Sequence, residues 1–110
     1  GGGSDHMQKV GSLRSINPYN PFLGMWVTIT RKARWYDGVL HPQEALSREE
    51  AIRFYTWENA CAMRMEDQIG SLEKGKLADF IILDRDLLTC PIDGIKDTQV
   101  LATYINGRAL

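Results

Sequence analysis

A chain of 110 residues is long enough for one domain of ordinary size and short for two. Its hydrophobic fraction of 44% and its charged fraction of 25% are typical of a soluble protein. The net charge of −1 gives no reason to expect nucleic acid or an anionic membrane as a partner, and no apolar run approaches the roughly 20 residues that span a bilayer. With no secretion signal recognised, we expect a cytoplasmic protein whose Cys61 and Cys90 stay reduced.

The first seven residues, Gly1-Gly2-Gly3-Ser4-Asp5-His6-Met7, permit two interpretations. One is a cloning remnant, because Gly-Ser-His-Met scars are common and this run differs by one inserted Asp. The other is native sequence, in which His6 is a loop residue. Residues 8–20 then form a loop without periodicity, where Arg14 is interpreted as a solvated arginine rather than an anion contact.

The first helix is predicted over residues 21–33. Asn20 suits the N-cap and Pro21 the first helical position. Apolar residues follow at 3.6-residue spacing and predict a face packed in a core: Phe22, Met25, Trp26, Ile29 and Ala33. Basic residues cluster near the expected end, where cations complement the helix dipole: Arg31, Lys32 and Arg34.

Two further helices are predicted, over residues 47–56 and 57–65. Ser47 and Glu50 hold the two reciprocal positions of a capping box at the start of the first of them. The connecting loop before it contains His41, which has no metal-type partner at neighbouring positions and is interpreted as a loop histidine. The adjacent acidic pairs Glu49-Glu50 and Glu66-Asp67 are interpreted as solvated surface, because neighbouring helical residues point in different directions.

The last part of the chain predicts strands. Gly75 suits the positive-φ position of a tight turn, and the apolar run from Phe80 to Leu83 predicts a strand over 79–84 that is covered on both faces. Residues 85–97 are expected to be irregular. A second strand is predicted over 99–105, followed by the hairpin signal Asn106-Gly107 and a returning strand that is either very short or truncated. The predicted fold class is therefore α+β.

Three stretches together resemble a known family. The run Gly-Ser-Leu-Glu-Lys-Gly-Lys-Leu-Ala-Asp-Phe-Ile-Ile-Leu-Asp at 70–84 resembles the segment of metal-dependent amidohydrolases in which the chain leaves the catalytic barrel for a small β-domain. The similarity extends through Asn-Pro-Tyr-Asn-Pro-Phe-Leu-Gly-Met at 17–25 and Ser-Arg-Glu-Glu-Ala at 47–51. The chain looks most like the subgroup with exoenzyme-like and formamide-deformylase-like members, and nearly all of it matches their C-terminal quarter.

The resemblance implies a (β/α)₈ barrel parent. Residues 1–20 would hold the end of the last barrel strand and an active-site loop, residues 21–66 the last barrel helices, and residues 67–110 strands of a small composite β-domain. Gly3-Ser4-Asp5 would end the eighth barrel strand, so that Asp5 binds the metal and takes a proton from the metal-bound water. The parent would use zinc or another divalent metal to hydrolyse carbon–nitrogen bonds of a small-molecule amide-type substrate.

The resemblance also implies what this chain lacks. The histidines that bind metal in the family would lie upstream, and one carboxylate cannot hold a catalytic zinc, which needs about three protein ligands. We therefore expect the 110 residues alone to bind no metal cofactor and to be inactive. The alternative is a non-catalytic scaffold or oligomerisation module. The stripe containing Phe22 and Met25 would then lack the barrel elements that cover it, and the isolated chain would self-associate.

Overall fold

A computed structural model of the protein describes residues 1–3, 20–33 and 36–110. Among these residues, three α-helices come first: α1 (Pro21–Thr30), α2 (Arg48–Tyr55) and α3 (Trp57–Ala62). Three strands follow: β1 (Phe80–Leu83), β2 (Val100–Ile105) and β3 (Arg108–Ala109). Two short 3₁₀ helices lie between these elements, at Pro42–Glu44 and Ile92–Asp97. The described chain is thus a small α+β fold, as its sequence predicts.

Helix α1 begins as predicted and ends earlier. The Asn20 side chain accepts hydrogen bonds from the backbone N–H groups of Phe22 (2.9 Å) and Leu23 (3.4 Å). The predicted end at residue 33 is wrong, because Arg31 adopts a left-handed conformation with φ 55° and closes the helix with a bond from its N–H to the Val27 carbonyl. The last turn consequently holds no basic residue, and the Arg31 side chain instead donates to the Leu40 carbonyl at 3.0 Å.

The boundary between α2 and α3 is a real break in the helix. The predicted capping box is confirmed: Ser47 Oγ accepts from Glu50 N at 3.2 Å, and Glu50 Oε2 accepts from Ser47 N at 2.7 Å. The backbone N–H of Ser47 first, and then its hydroxyl, lower the pKa of the Glu50 carboxyl. Thr56, with φ −121° and ψ −90°, separates the two helices. Helix α3 ends at Ala62 rather than near 65, because Arg64 has a left-handed φ of 56°.

The strands form one antiparallel sheet in the order β1-β2-β3. Phe80 lies opposite Tyr104, and their rings stack with centroids 4.6 Å apart. The hairpin predicted at Asn106-Gly107 is confirmed, with φ of 50° and 74°, and β3 after it is two residues long. Gly75 has the predicted positive φ, at 97°.

One prediction for β1 is wrong. The strand is not covered on both faces, because Ile81 is 46% exposed and Ile82 is 44% exposed. These two residues point to opposite faces of the sheet, so each face is open to solvent at this point. The sheet meets the helical core near one end of the strand only, where Leu83 packs against it.

The core lies between α1, α2 and the second 3₁₀ helix. Its buried residues are Phe22, Met25, Ala51 and Ile95. The stretch 85–97, predicted to be irregular, therefore supplies Ile95, the largest fully buried side chain of the described residues. Trp26 strengthens this packing with a hydrogen bond from its Nε1 to Asp93 at 3.0 Å. Phe22 and Met25 of the apolar stripe are thus buried within this chain, while Trp26 and Ile29 are partly buried.

Candidate functional site

The predicted catalytic residue Asp5 lies outside the described residues, as do His6 and Arg14. The structure does describe the three glycines before Asp5, which lie against the junction of α2 and α3. Gly2 N donates to the Phe54 carbonyl at 2.7 Å, and the Gly2 carbonyl accepts from Asn59 Nδ2 at 2.9 Å. Both backbone polar groups of Gly2 are therefore paired with these helices.

Tyr55 fills the space between the N-terminal glycines and α1. A Cβ atom added to Gly2 would lie 2.7 Å from the ring of Tyr55 and 2.8 Å from that of Phe54. A Cβ atom added to Gly24, on α1, would collide with the Tyr55 hydroxyl oxygen. Burial among these groups raises the pKa of Tyr55. The ring can occupy this position because the residues on both sides of it are glycines.

A cleft of about 520 Å³ separates the α2–α3 junction from one face of the sheet. Its lining includes Ile52 of α2, Leu72 of the loop between α3 and β1, and Ile81 and Ile105 of the sheet. Polar groups are few along it, so the cleft offers apolar contact rather than an arrangement of acid, base and nucleophile. It is a surface for packing, and the described residues place no chemistry in it.

The described residues do not form a metal site. Within 1–3, 20–33 and 36–110, no three His, Cys, Asp or Glu side chains come close enough together to hold a metal ion. His41 is exposed in the loop where it was predicted, at the start of the first 3₁₀ helix. The described part of the chain also has no helix that is long and apolar enough to cross a membrane.

The remaining candidate residues are the two cysteines and the acidic pair Glu66-Asp67. Cys61 and Cys90 are free thiols, as expected, and Arg48 lies 3.8 Å from the sulfur of Cys90 while donating to the Leu87 carbonyl. Glu66 corrects a prediction, because its Oε2 atom is buried rather than solvated and has no hydrogen-bond partner among the described residues. Asp67 beside it is exposed, as predicted.

Sequence reasoning missed the role of two residues near the glycines. These residues are Tyr55 and Asn59, to which the sequence analysis assigned no function. The available signal was the break at Thr56, since carbonyls in the last turn of a helix need partners from elsewhere. A donor such as Asn just after such a break is a candidate to supply one.

Comparison with known proteins places the chain among amidohydrolases. The model of the amidohydrolase family matches residues 12–110. The chain is 37% identical over 99 residues to the N-substituted formamide deformylase of Arthrobacter pascens. The aligned region covers 87% of this chain and 18% of that protein. It is 32% identical over 103 residues to the protein LONG AFTER FAR-RED 3 of Arabidopsis thaliana. The aligned region covers 92% of this chain and 17% of that protein.

A third relative shares a shorter region. The chain is 43% identical over 70 residues to the 5-methylthioadenosine/S-adenosylhomocysteine deaminase of Saccharophagus degradans. The aligned region covers 63% of this chain and 16% of that protein. The chain therefore spans less than a fifth of the length of each of these relatives. No solved structure matches it.

Proposed function

Because this chain belongs to the amidohydrolase family and is formamide-deformylase-like within it, we propose that it is the C-terminal part of a hydrolase acting on carbon–nitrogen bonds other than peptide bonds. The observation that carries the proposal is the family match over residues 12–110, joined to 37% identity with an N-substituted formamide deformylase. The proposed substrate is a small-molecule amide, and an N-substituted formamide is the first compound to test.

Asp5 is the proposed contribution of this chain to the chemistry. A carboxylate within hydrogen-bond reach of the attacking water can accept its proton and return one to the leaving nitrogen. Residues 1–20 would carry this group and residues 21–66 would support it, while residues 67–110 form the adjoining sheet. The hydrogen bonds of Gly2 with Phe54 and Asn59 support these assignments to the three parts of the chain. They connect the helices to the segment that precedes Asp5.

The family is generally metal-dependent, and the described residues of this chain do not fit a metal ion. We infer that Asp5 would supply one ligand of a zinc or other divalent ion in the parent protein, and that the remaining ligands belong to the rest of that protein. The 110 residues alone are accordingly expected to hydrolyse no amide.

The test is a chimera in which this chain replaces the matching segment of the Arthrobacter pascens enzyme. The chimera should hydrolyse an N-substituted formamide, and Asp5→Asn should lower kcat by at least about 100-fold, the usual range for loss of a general acid–base group. Asp67→Asn, which changes an exposed carboxylate far along the chain, is the matched control and should keep activity. A folded chimera that stays fully active after Asp5→Asn would overturn the assignment.

The second candidate function is a non-catalytic association module. Exposed apolar residues on the sheet favour it, among them Leu101 at 65% and Ile105 at 51% exposure. The chimera separates the two functions. A chimera that folds, associates and never gains hydrolytic activity, while the Arthrobacter enzyme itself is active in the same assay, would favour the association module.

A further inference from the structure

Asn106 and Gly107 form the two-residue turn between β2 and β3, and both residues are exposed to water. Their φ values of 50° and 74° are the positive values that this kind of hairpin turn requires. A bond from Gly107 N to the side-chain carbonyl carbon of Asn106 would close a stable five-membered ring. Glycine has no Cβ atom that could hinder this approach. The turn therefore brings together the two groups of an intramolecular reaction.

The sequence favours this reaction at Asn106 over the other asparagines. Asn17 and Asn20 each precede a proline, whose nitrogen has no hydrogen to lose. Asn59 precedes Ala60 within α3, where the helix fixes the backbone. Asn106 is the one asparagine of the chain that is followed by glycine.

Two hydrogen bonds hold the turn against the start of β1. Gly107 N, the atom that would attack, donates to the Ala78 carbonyl at 3.0 Å. This bond engages the hydrogen that the nitrogen must lose. Asn106 N donates to Asp79 Oδ1 at 2.7 Å and so fixes the residue that would be attacked. Ring closure therefore requires local opening of the turn, in which both bonds break.

We propose that Asn106 is a self-modification site whose reaction is limited by the opening of this turn. Gly107 N loses its hydrogen and bonds to the side-chain carbonyl carbon of Asn106. The bond from that carbon to Nδ2 breaks, and the nitrogen leaves as ammonia with the proton. Water then opens the cyclic imide at either of its carbonyl carbons, which gives aspartate or isoaspartate at this position. The inference is independent of the proposed hydrolase function, because it uses only residues of the sheet.

The isoaspartate product detaches β3 from the sheet. It adds one methylene group to the main chain of a turn whose length sets the register of the hairpin. Strand β3 has two residues, and its pairs with β2 are Tyr104 with Ala109 and Ile105 with Arg108. So short a strand offers little resistance to a change of register. The reaction is not reversed by refolding, and it leaves the outer edge of β2 open.

The modification is tested by incubating the 110-residue chain at mildly alkaline pH and mapping its peptides by mass spectrometry. Isoaspartate should accumulate at residue 106 while Asn20 and Asn59 stay unmodified. The rate should be at least about tenfold higher in denaturing urea, because the hydrogen bonds that hold the turn are then lost.

The limiting role of the turn is tested by Asp79→Ala, which removes the acceptor for Asn106 N. This variant should react about tenfold faster in buffer, since loss of a hydrogen bond to a charged group favours opening by at least that factor. It should react at the unchanged rate in urea, where the turn is already open. Asp67→Ala, at an exposed carboxylate outside the sheet, is the matched control and should leave both rates unchanged.

The detachment of β3 is tested by hydrogen exchange of backbone amides in the purified isoaspartate product. Leu110 N donates to the Thr103 carbonyl at 2.9 Å, and this amide should lose its protection. Asp84 N donates to the Gln99 carbonyl at 3.0 Å near the other end of the sheet and should keep its protection. Asn106→Asp adds the charge without the methylene group, and this variant should keep Leu110 protected.

Each measurement has an outcome that contradicts the proposal. An asparagine at 106 that stays unmodified in both buffer and urea would overturn the site. Aspartate without isoaspartate would overturn the cyclic intermediate, since opening of the imide yields both. Equal rates in buffer and urea would overturn the role of the turn, and a protected Leu110 amide in the isoaspartate product would overturn the detachment of β3.

Discussion

Asp84 joins the end of β1 to the residue that precedes β2. Its carboxylate accepts hydrogen bonds from Arg85 Nε at 2.9 Å and Arg85 Nη2 at 2.7 Å, and a third from Gln99 N at 3.0 Å. The same Arg85 donates through Nη1 to the Gly94 carbonyl at 3.0 Å. The Arg85 side chain first, and then the Gln99 amide, lower the pKa of Asp84 from 3.8 to about 2. Because these groups favour the ionised form, the folded state binds fewer protons here than the unfolded state.

This lowered pKa makes a prediction about acid stability. The contribution of Asp84 should be fully present above pH 3.8 and be lost as the pH falls toward about 2, because the folded state then no longer gains from the ionised carboxylate. Urea unfolding of the unchanged chain and of Asp84→Asn should therefore differ near pH 5 and converge near pH 2. Asp67→Asn, at an exposed carboxylate, is the control and should cause no such convergence. A stability difference that is independent of pH between 5 and 2 would contradict the prediction.

At the scale of elements, α1 and α2 approach each other where Gly24 faces Tyr55. Alanine is favoured over glycine within a helix by about 0.5–1 kcal/mol, so Gly24→Ala would be stabilising if α1 were exposed there. The added methyl would instead meet the Tyr55 hydroxyl oxygen. Overpacking of this kind costs about 1–3 kcal/mol, and we expect the free energy of unfolding in urea to fall by that order.

The control for Gly24→Ala is a second change that makes room. Tyr55→Phe removes the hydroxyl that the new methyl meets, so the double variant should recover part of the lost stability. The two changes are expected to be non-additive because the side chains touch. Additive effects would mean that Gly24 is required for some reason other than its contact with Tyr55.

Elements with local signals could be predicted from the sequence, and those set by distant contacts could not. The capping box at Ser47 and the turn at Asn106-Gly107 involve residues within one turn of each other, and both are confirmed. The 3₁₀ helix Ile92–Asp97 has no 3.6-residue pattern, and the burial of Ile95 depends on the distant helix α1. The prediction that β1 is covered on both faces was wrong because an apolar run shows only that burial would be favourable. It does not show that other parts of the chain pack against the strand.

In the candidate site, too, the part with a local sequence signal could be predicted and the part that depends on distant contacts could not. Asp5 was proposed from a short motif, which needs only neighbouring residues. The hydrogen bonds of Gly2 connect the start of the chain to Phe54 and Asn59, and they depend on the helix break at Thr56. No local pattern marks such a contact, because each residue in it is ordinary in its own segment.

At the scale of the whole molecule, the helical core is covered and the sheet is not. Phe22 and Met25 of α1 are buried together with Ala51 of α2 and Ile95 of the second 3₁₀ helix. The sheet exposes apolar side chains on β1 and β2: Ile81, Ile82, Val100, Leu101 and Ile105. The outer edge of β1 also has no partner strand among the described residues. An exposed apolar sheet with an open edge is a surface on which chains associate.

The expectation of self-association therefore moves from α1 to the sheet. We predict that the 110-residue chain forms oligomers at concentrations where a covered domain would be monomeric, and that Ile81→Lys together with Leu101→Lys shifts sedimentation velocity toward the monomer. The charges act because an ammonium group costs free energy when it is buried in an apolar interface. Leu88→Lys is the matched control, since Leu88 is 48% exposed against 46% for Ile81 but lies outside the sheet, and it should leave the distribution unchanged. A monomeric unchanged chain would contradict the prediction, and equal effects of the sheet and control variants would show that added charge, rather than this surface, governs association.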